Sequence, residues 1–209
     1  MPASPSTGPR RRLRPDGERP RRGAPAATRA RLISTAADVF NRVGYRGTDS
    51  NRLARAAGYA PGTFYKHFPD KRSIFLAAYE AWVTAEWATV ERVLATPAPR
   101  AERAAALVDA IIAMHRRWRG LRASLRALVA EDPAARAFYR AQRRRQLELL
   151  ARMSAPRGGA AAPRAEHAVL LYAIERVSDA VADGELREVG VRVDDVLSAL
   201  RELILAHMP

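Results

Sequence analysis

Residues 48–71 read TDSNRLARAAGYAPGTFYKHFPDK and constrain the fold more than any other stretch of the chain. Leu53 and Ala57 lie on the same side of a helical wheel, which predicts a short helix over residues 50–57 with one apolar face. Gly58 follows directly, and glycine readily adopts the left-handed conformation that ends many helices. This stretch therefore begins with a short helix that stops at a glycine turn.

A second short helix is predicted over residues 61–67. Pro61 suits a first helical position, and the residue before Pro69 is pushed out of helical geometry, which ends the helix. Asp70 then caps a third helix. Two short helices separated by a glycine turn form the helix-turn-helix pattern, whose second helix lies in the major groove of DNA.

The motifs in and around this stretch resemble the DNA-binding domain of the TetR family of repressors, over roughly residues 28–76. Several spaced features agree in order, above all GTFYKHF at residues 62–68 followed by a lysine three residues later. The other residues that carry the resemblance are Gly44, Tyr45, Arg46, Gly47, Thr48, Leu53, Ala54, Ala57, Gly58 and Lys71. The resemblance implies an N-terminal three-helix DNA-binding domain and a C-terminal helical domain that binds a ligand and dimerises.

The resemblance also implies which side chains meet DNA. Lys66 is suited to donate to guanine O6 and N7, and the methyl group of Thr63 can touch a thymine methyl. Tyr65 offers its hydroxyl to a phosphate, whereas Phe64 and Phe68 are expected in the core. The complete set of predicted DNA contacts is Thr48, Ser50, Asn51, Pro61, Gly62, Thr63, Tyr65, Lys66, His67 and Lys71.

Two positions depart from the family pattern, and one predicted DNA contact has two possible roles. Ala60 stands where a capping Ser or Thr is usual, which costs about 1 kcal/mol. Asp49 and Ser50 stand where a Thr and an apolar residue are usual; Asp49 suits the positive end of a helix but would repel a nearby phosphate. His67 suits either a DNA contact or a structural hydrogen bond.

The charge distribution agrees with a DNA-binding N-terminal region. The chain has 36 basic and 22 acidic residues, a net charge of +14. Residues 1–71 hold 15 basic and 5 acidic residues, so +10 of this excess lies in the predicted DNA-binding part. A concentrated positive charge is the electrostatic footprint of a protein that binds phosphates.

Other classes of function find little support in the sequence. The chain has no cysteine, which excludes disulfides and thiolate metal sites, and its four histidines show no metal-binding spacing. We find no Gly-rich phosphate loop and no G-x-S-x-G motif, so we expect neither an enzyme nor a cofactor. Because no apolar run is long enough to span a membrane, we expect a cytoplasmic protein.

The pattern of prolines, glycines and apolar stripes predicts an all-α fold of about nine helices. Residues 1–27 are poor in large apolar side chains and are expected to be disordered, serving either as a basic arm on DNA or as a solvated tail. The basic run near residue 143 is expected to be a solvated helix face. The predicted domains are residues 28–75 for DNA binding and residues 76–209 for ligand binding and dimerisation. The predicted helices cover residues 28–43, 50–57, 61–67, 71–95, 101–119, 121–131, 133–153, 163–183 and 194–208.

The C-terminal domain is expected to provide a dimer interface and a ligand pocket. Apolar stripes on the last two helices, including Val169, Tyr172, Leu200 and Leu203, are expected to pair with a second copy of the chain, as the family resemblance implies. Large side chains and a few polar groups are expected to line the pocket. The predicted pocket residues are Trp82, Met114, His115, Trp118, Phe138, Tyr139, Tyr172 and Glu175.

These features predict a sequence-specific transcriptional regulator, most simply a repressor that a small molecule releases from a palindromic operator. The partners are then double-stranded DNA, an unidentified effector and a second copy of the chain. The alternative is an architectural DNA-binding protein that needs no ligand, which would show a steep salt dependence and almost no sequence preference.

Overall fold

The computed structural model describes residues 24–153 and 163–208. Most of the predicted basic tail and the segment between the predicted helices 133–153 and 163–183 lie outside the described residues. Within the described part the chain forms ten helices and no strand. The helices are α1 (Pro25–Val43), α2 (Ser50–Ala56), α3 (Pro61–His67), α4 (Lys71–Ala95), α5 (Arg100–Arg117), α6 (Arg119–Glu131), α7 (Pro133–Met153), α8 (Arg164–Asp183), α9 (Glu185–Glu188) and α10 (Val193–His207).

The all-α prediction is confirmed, with differences at the helix ends. α1 begins at Pro25 rather than at Thr28, because proline occupies its first turn and the Thr28 N–H donates to the carbonyl of Ala24. Thr28 is therefore buried inside the helix instead of capping it. The short α9 raises the number of helices in the described ranges above the expected nine. None of the described helices is long and apolar enough to cross a membrane.

The helix-turn-helix unit folds as the sequence indicates. Gly58 follows α2 with φ +82°, a conformation that strains other residues, and Pro61 opens α3. Asp70 caps α4 through a capping box, in which its carboxylate accepts from the N–H of Ser73 at 2.7 Å. These three features fix the entry and exit of the recognition helix α3.

The first hydrophobic core joins the helix-turn-helix unit to the rest of the molecule. It combines residues of α1, α2 and α3 with α4 and α6, so no apolar boundary separates residues 28–75 from the helices of the C-terminal part. Phe40, Phe75 and Tyr45 form its aromatic centre, with the Phe40 and Phe75 rings 5.0 Å apart. The buried members of this core include Leu32, Phe40, Leu53, Phe64, Phe68, Phe75, Trp82, Leu121 and Leu125.

A second hydrophobic core lies among α5, α8 and α10. Its buried members are Ala104, Leu107, Val108, Ile112, Val181, Leu200, Ile204 and Met208. The guanidinium of Arg100 ties the end of α10 to the start of α5 by donating to the carbonyls of Leu205 and Met208, at 3.1 and 2.6 Å. This second core supports a ligand-sized cavity away from the helix-turn-helix unit.

Candidate nucleic-acid interface and ligand cavity

One side of α3 faces solvent and the other side is held in the core. The side chain of Tyr65 is 53% exposed, Lys66 is exposed, and a Cβ atom on Gly62 would meet nothing within 4 Å. Phe64 and Phe68 are buried on the opposite side, as expected. The exposed side of α3 therefore presents a hydroxyl and an ammonium group without a bulky side chain between them.

The start of α2 lies next to this surface. Asn51 is exposed and Ser50 is half-buried. The carboxylate of Asp49 accepts from the N–H of Arg52 at 2.9 Å, so the acidic residue that departs from the family pattern caps α2. This hydrogen bond also lowers the pKa of Asp49, which keeps the carboxylate charged.

Two of the predicted DNA contacts are occupied within the protein in this conformation: Thr48 is buried and Lys71 is half-buried. Thr48 is only 6% exposed, and its hydroxyl has no hydrogen-bond partner among the described residues. The ammonium of Lys71 donates to the carbonyls of Tyr45 and Thr48, at 3.0 and 2.9 Å, and lies 4.3 Å from the centre of the Tyr45 ring. In this conformation Lys71 holds the loop between α1 and α2 instead of presenting its charge to a phosphate.

A polar junction connects the helix-turn-helix unit to α6. The side chain of Asn41 donates to the carbonyl of Arg117 at 2.7 Å and accepts from the N–H of Leu121 at 3.1 Å. Between them, a Cβ atom on Gly120 would lie 1.9 Å from the carbonyl oxygen of Asn41. The close packing of α1 on the first turn of α6 therefore requires glycine at position 120.

Further bonds extend this junction along α6. The hydroxyl of Ser124 accepts from the N–H of Tyr45 at 3.0 Å. The guanidinium of Arg46 donates to Glu131 at 2.7 Å. These contacts tie the last residues of α1 and the loop after it to one side of α6, so a shift of α6 would move the DNA-binding unit.

A cavity of about 100 Å³ lies between α4, α5, α7, α8 and α10. This volume is enough for several water molecules or a small ligand, since one water needs roughly 10–15 Å³. Its apolar wall consists of Trp87, Val90, Leu94, Leu107, Ile111, Leu150, Met153, Leu170, Leu171, Ile174, Ile204 and Met208. Its polar lining consists of Glu86, His115, Gln146, Glu175 and His207.

A buried network of charges backs the polar end of the cavity. His115 Nδ1 lies 3.0 Å from Asp179 Oδ1, and the Nε–H group of Arg122 donates to the same oxygen at 2.8 Å. Arg122 also lies 3.9 Å from Glu175, while His115 Nε2 lies 3.5 Å from Glu86. The network therefore connects α4, α5, α6 and α8 around one end of the cavity.

The charges in this network shift one another's pKa values. Burial alone would lower the pKa of His115, but hydrogen bonds to Asp179 and Glu86 outweigh burial and raise it. Burial would raise the pKa of Asp179, but His115 and Arg122 hold it well below its usual range. The imidazolium form of His115 and the carboxylate form of Asp179 therefore stabilise each other.

Known proteins share the helix-turn-helix unit and the overall fold. The model of the family described as bacterial regulatory proteins, tetR family, matches residues 32–78, which include α2, α3 and most of α1.

The chain carries the DNA-binding domain of the TetR family.

It is therefore a DNA-binding transcriptional regulator. The helix-turn-helix unit of this TetR-family protein and the resemblance on which the sequence prediction rested are confirmed by the match.

Solved structures show the same fold along most of the chain. A TetR-family regulator from Rhodococcus sp. has 18% identity and a TM-score of 0.69, and the match covers 88% of this chain and 100% of that one. A regulator from Saccharomonospora viridis in complex with choline has 22% identity and a TM-score of 0.66, with 88% and 98% covered. AibR in complex with isovaleryl coenzyme A and operator DNA has 17% identity and a TM-score of 0.54, with 75% and 86% covered. No curated protein sequence matches this TetR-family chain.

The cavity differs from the predicted ligand pocket of the TetR-family chain. His115 and Glu175 line it, but the other six predicted residues do not. The reason is that the first hydrophobic core takes up the aromatic side chains: Trp82 is buried there, and Trp118, Phe138 and Tyr139 pack against it. The remaining two, Met114 on α5 and Tyr172 on the outside of α8, are half-buried and exposed, respectively.

The sequence patterns did not indicate the buried charged residues around the cavity. Arg143 was expected on a solvated helix face, yet it is buried, forms an ion pair with Glu175 and donates to Gln146 at 2.9 Å. Glu86 and Arg122 were not predicted at all. Their only signal in the sequence is a charged residue within an apolar helical stripe, and an isolated charge of this kind also occurs on solvated faces.

Proposed function

We propose that this TetR-family protein is a homodimeric repressor that binds a palindromic operator and leaves it when a small molecule occupies the cavity. Residues 28–75 read DNA and residues 76–209 bind the effector and dimerise. The observation that carries the proposal is the position of α6. This helix forms a hydrogen bond to the DNA-binding unit through Leu121 and a hydrogen bond to the charge network of the cavity through Arg122.

The exposed side of α3 supports specific reading of DNA. Lys66 makes no ion pair with any described residue, so its ammonium is available to a guanine or a phosphate. Gly62 leaves space for the DNA backbone to approach. We propose the exposed members of the predicted set, led by Lys66 and Tyr65, as the DNA contacts.

The outer faces of α8 and α10 support a dimer. Val169 is 67% exposed and Tyr172 is exposed on the same side of α8, an unusual position for large apolar side chains. Leu200 and Ile204, in contrast, are buried within the chain's own second core. We therefore propose an interface formed by the outer face of α8 with the exposed side of α10, rather than by the whole predicted stripes. A two-fold dimer presents two recognition helices to half-sites in successive major grooves.

The link through α6 supports release by a ligand. Arg122 belongs to the charge network, and the adjacent Leu121 donates its N–H to Asn41 of α1. A ligand that rearranges the network can shift α6 and change the spacing of the two recognition helices. The size of the shift is limited by the ligand's differential affinity for the two arrangements.

The neighbouring structures support a ligand cavity without naming a ligand. One of them is a complex with choline, and another is a complex with isovaleryl coenzyme A and operator DNA. These ligands differ in size and charge, so the lining of this chain's own cavity must indicate what it binds.

Selection of binding sites from random duplex DNA with the full-length protein tests the proposal. We expect an inverted repeat, bound about 10³-fold or more tightly than bulk DNA. Recovery of sequences without a shared motif, together with a steep loss of affinity as salt rises, would instead support the architectural alternative.

A further inference from the structure

The carboxylate of Glu86 is buried and has only a distant hydrogen-bond partner among the described residues. Its side chain is 10% exposed and lines the cavity, and its only charged neighbour among the described residues is His115 at 3.5 Å. This distance is at the outer limit for a hydrogen bond. A buried carboxylate without a good partner is costly, and a ligand group that donates or carries positive charge would satisfy it.

The other charges near the cavity are paired among themselves. Glu175 also lines the cavity, but it faces Arg143 and Arg122 on its other side. Neither arginine is a lining residue, and no Arg or Lys of the described ranges lines the cavity. Among the described residues, Glu86 is therefore the lining carboxylate that pairs with no arginine or lysine.

The pairing of the arginines leads to the same conclusion. Glu86, Glu175 and Asp179 carry three negative charges, while the buried arginines Arg122 and Arg143 supply two positive ones. The half-exposed Arg126 also pairs with Asp179, at 2.6 Å, so the charge left to Glu86 among the described residues is that of His115 when it is protonated. A ligand cation next to Glu86 would balance the same charge, whereas a ligand carboxylate would face repulsion there.

We propose that the cavity binds a small amphipathic cation, an organic ammonium whose charged group pairs with Glu86. Its apolar body lies along the wall formed by residues such as Trp87, Ile111 and Leu171, which offers no other charge to a ligand. This assignment rests on the proposed function, since it names the class of effector that the cavity takes.

Calorimetric titration of the full-length protein with hexylamine, hexanol and hexanoate tests the assignment, because the three probes share an alkyl chain and differ in charge. We expect hexylamine to bind about tenfold or more tightly than hexanoate. Glu86→Gln should weaken hexylamine about tenfold and leave hexanol within about twofold, since only the charge is removed. The control is Glu91→Gln, the same change at an exposed position of the same helix, which should alter neither affinity.

Three results would overturn the assignment: hexanoate binding as tightly as hexylamine, no binding of any probe, or an unchanged hexylamine affinity in Glu86→Gln. The comparison of probes on the unmodified protein holds even if the variant folds poorly. Operator binding by the same preparation separates this assignment from the proposed function. A protein that binds its selected palindrome but shows no preference for the cation would refute only the ligand class, whereas hexylamine binding without operator release would support the ligand class and count against release.

Discussion

Lys66 lies on the exposed side of α3 without an ion-pair partner among the described residues. We expect Lys66→Ala to weaken binding to the selected operator by about 1–3 kcal/mol, because one charge-assisted contact to a base is lost. Arg144→Ala removes the same charge from an exposed position on α7 and should change affinity much less. Fluorescence anisotropy with a labelled operator measures both. Equal losses in the two variants would mean that Lys66 contributes only to the general positive field.

His115 gives the free energy of unfolding a specific pH dependence. Its pKa is raised in the folded protein, so its stabilising contribution is complete below the unfolded value of about 6.5 and is lost as pH rises through the higher folded value. We expect the difference in stability between the wild-type protein and His115→Gln to shrink between pH 6 and pH 9. Urea denaturation at a fixed protein concentration measures this difference. A difference that stays constant with pH would show that His115 does not titrate in that range.

Residue patterns predicted the exposed side of α3 better than the lining of the cavity. Tyr65 and Lys66 could be placed because a short helix with Phe64 and Phe68 on its inner side must expose the positions between them. Arg143 could not, because its partner Glu175 lies on another helix and an arginine among other arginines looks like a solvated face. Burial of a charge depends on a tertiary partner, which spacing along one helix does not show.

The junction between α1 and the first turn of α6 depends on the absence of a side chain at position 120. We expect Gly120→Ala to destabilise the protein by about 1–3 kcal/mol and to separate α1 from α6, because the added Cβ atom would overlap the carbonyl of Asn41. Thermal denaturation measures the loss, and operator affinity reports on the altered junction. Gly62→Ala is the matched control, since a Cβ atom there meets open space and should not lower stability. If the Gly120→Ala variant were as stable as the wild-type protein, α1 and α6 could move apart at little cost in free energy.

Helix positions followed from proline, glycine and capping residues wherever these interrupt the chain. Pro61, Asp70 and Pro133 mark starts that the structure reproduces at the same residue or the next. The start of α1 was misplaced because Thr28 is a good capping residue in isolation, while the proline at position 25 allows the helix to begin earlier. The four residues of α9 have no periodicity from which a helix could be recognised.

The proposed dimer depends on the outer face of α8. We expect Val169→Asp to produce monomers, because a carboxylate at a largely apolar interface would be buried without a partner. Sedimentation velocity measures the change, and the monomers should bind a palindrome weakly because each contributes a single recognition helix. Val43→Asp makes the same change at an apolar side chain that is 46% exposed on α1, and it should leave the oligomeric state unchanged. A dimeric Val169→Asp protein would place the interface elsewhere.

The predicted pocket residues and the lining of the cavity differ because of how the whole molecule packs. The chain's large aromatic side chains were expected around the ligand, but most of them fill the first core, where α4, α6 and α7 meet the DNA-binding unit. The cavity is instead lined mainly by aliphatic residues of α5, α8 and α10. Both arrangements satisfy the same helical periodicity, so the choice between them depends on how the helices pack against one another.

The shared first core limits how the molecule can be recombined. Leu121 and Leu125 of α6 are as deeply buried against α1 and α4 as Phe40 and Phe75 are. Consider a chimera spliced at residue 76, which joins this DNA-binding region to the C-terminal domain of another regulator. It would lose both leucines and leave an apolar surface of the DNA-binding region uncovered. A stable chimera would have to include α6 together with the DNA-binding region, or carry the buried side chains of α6 at the matching positions of the other regulator.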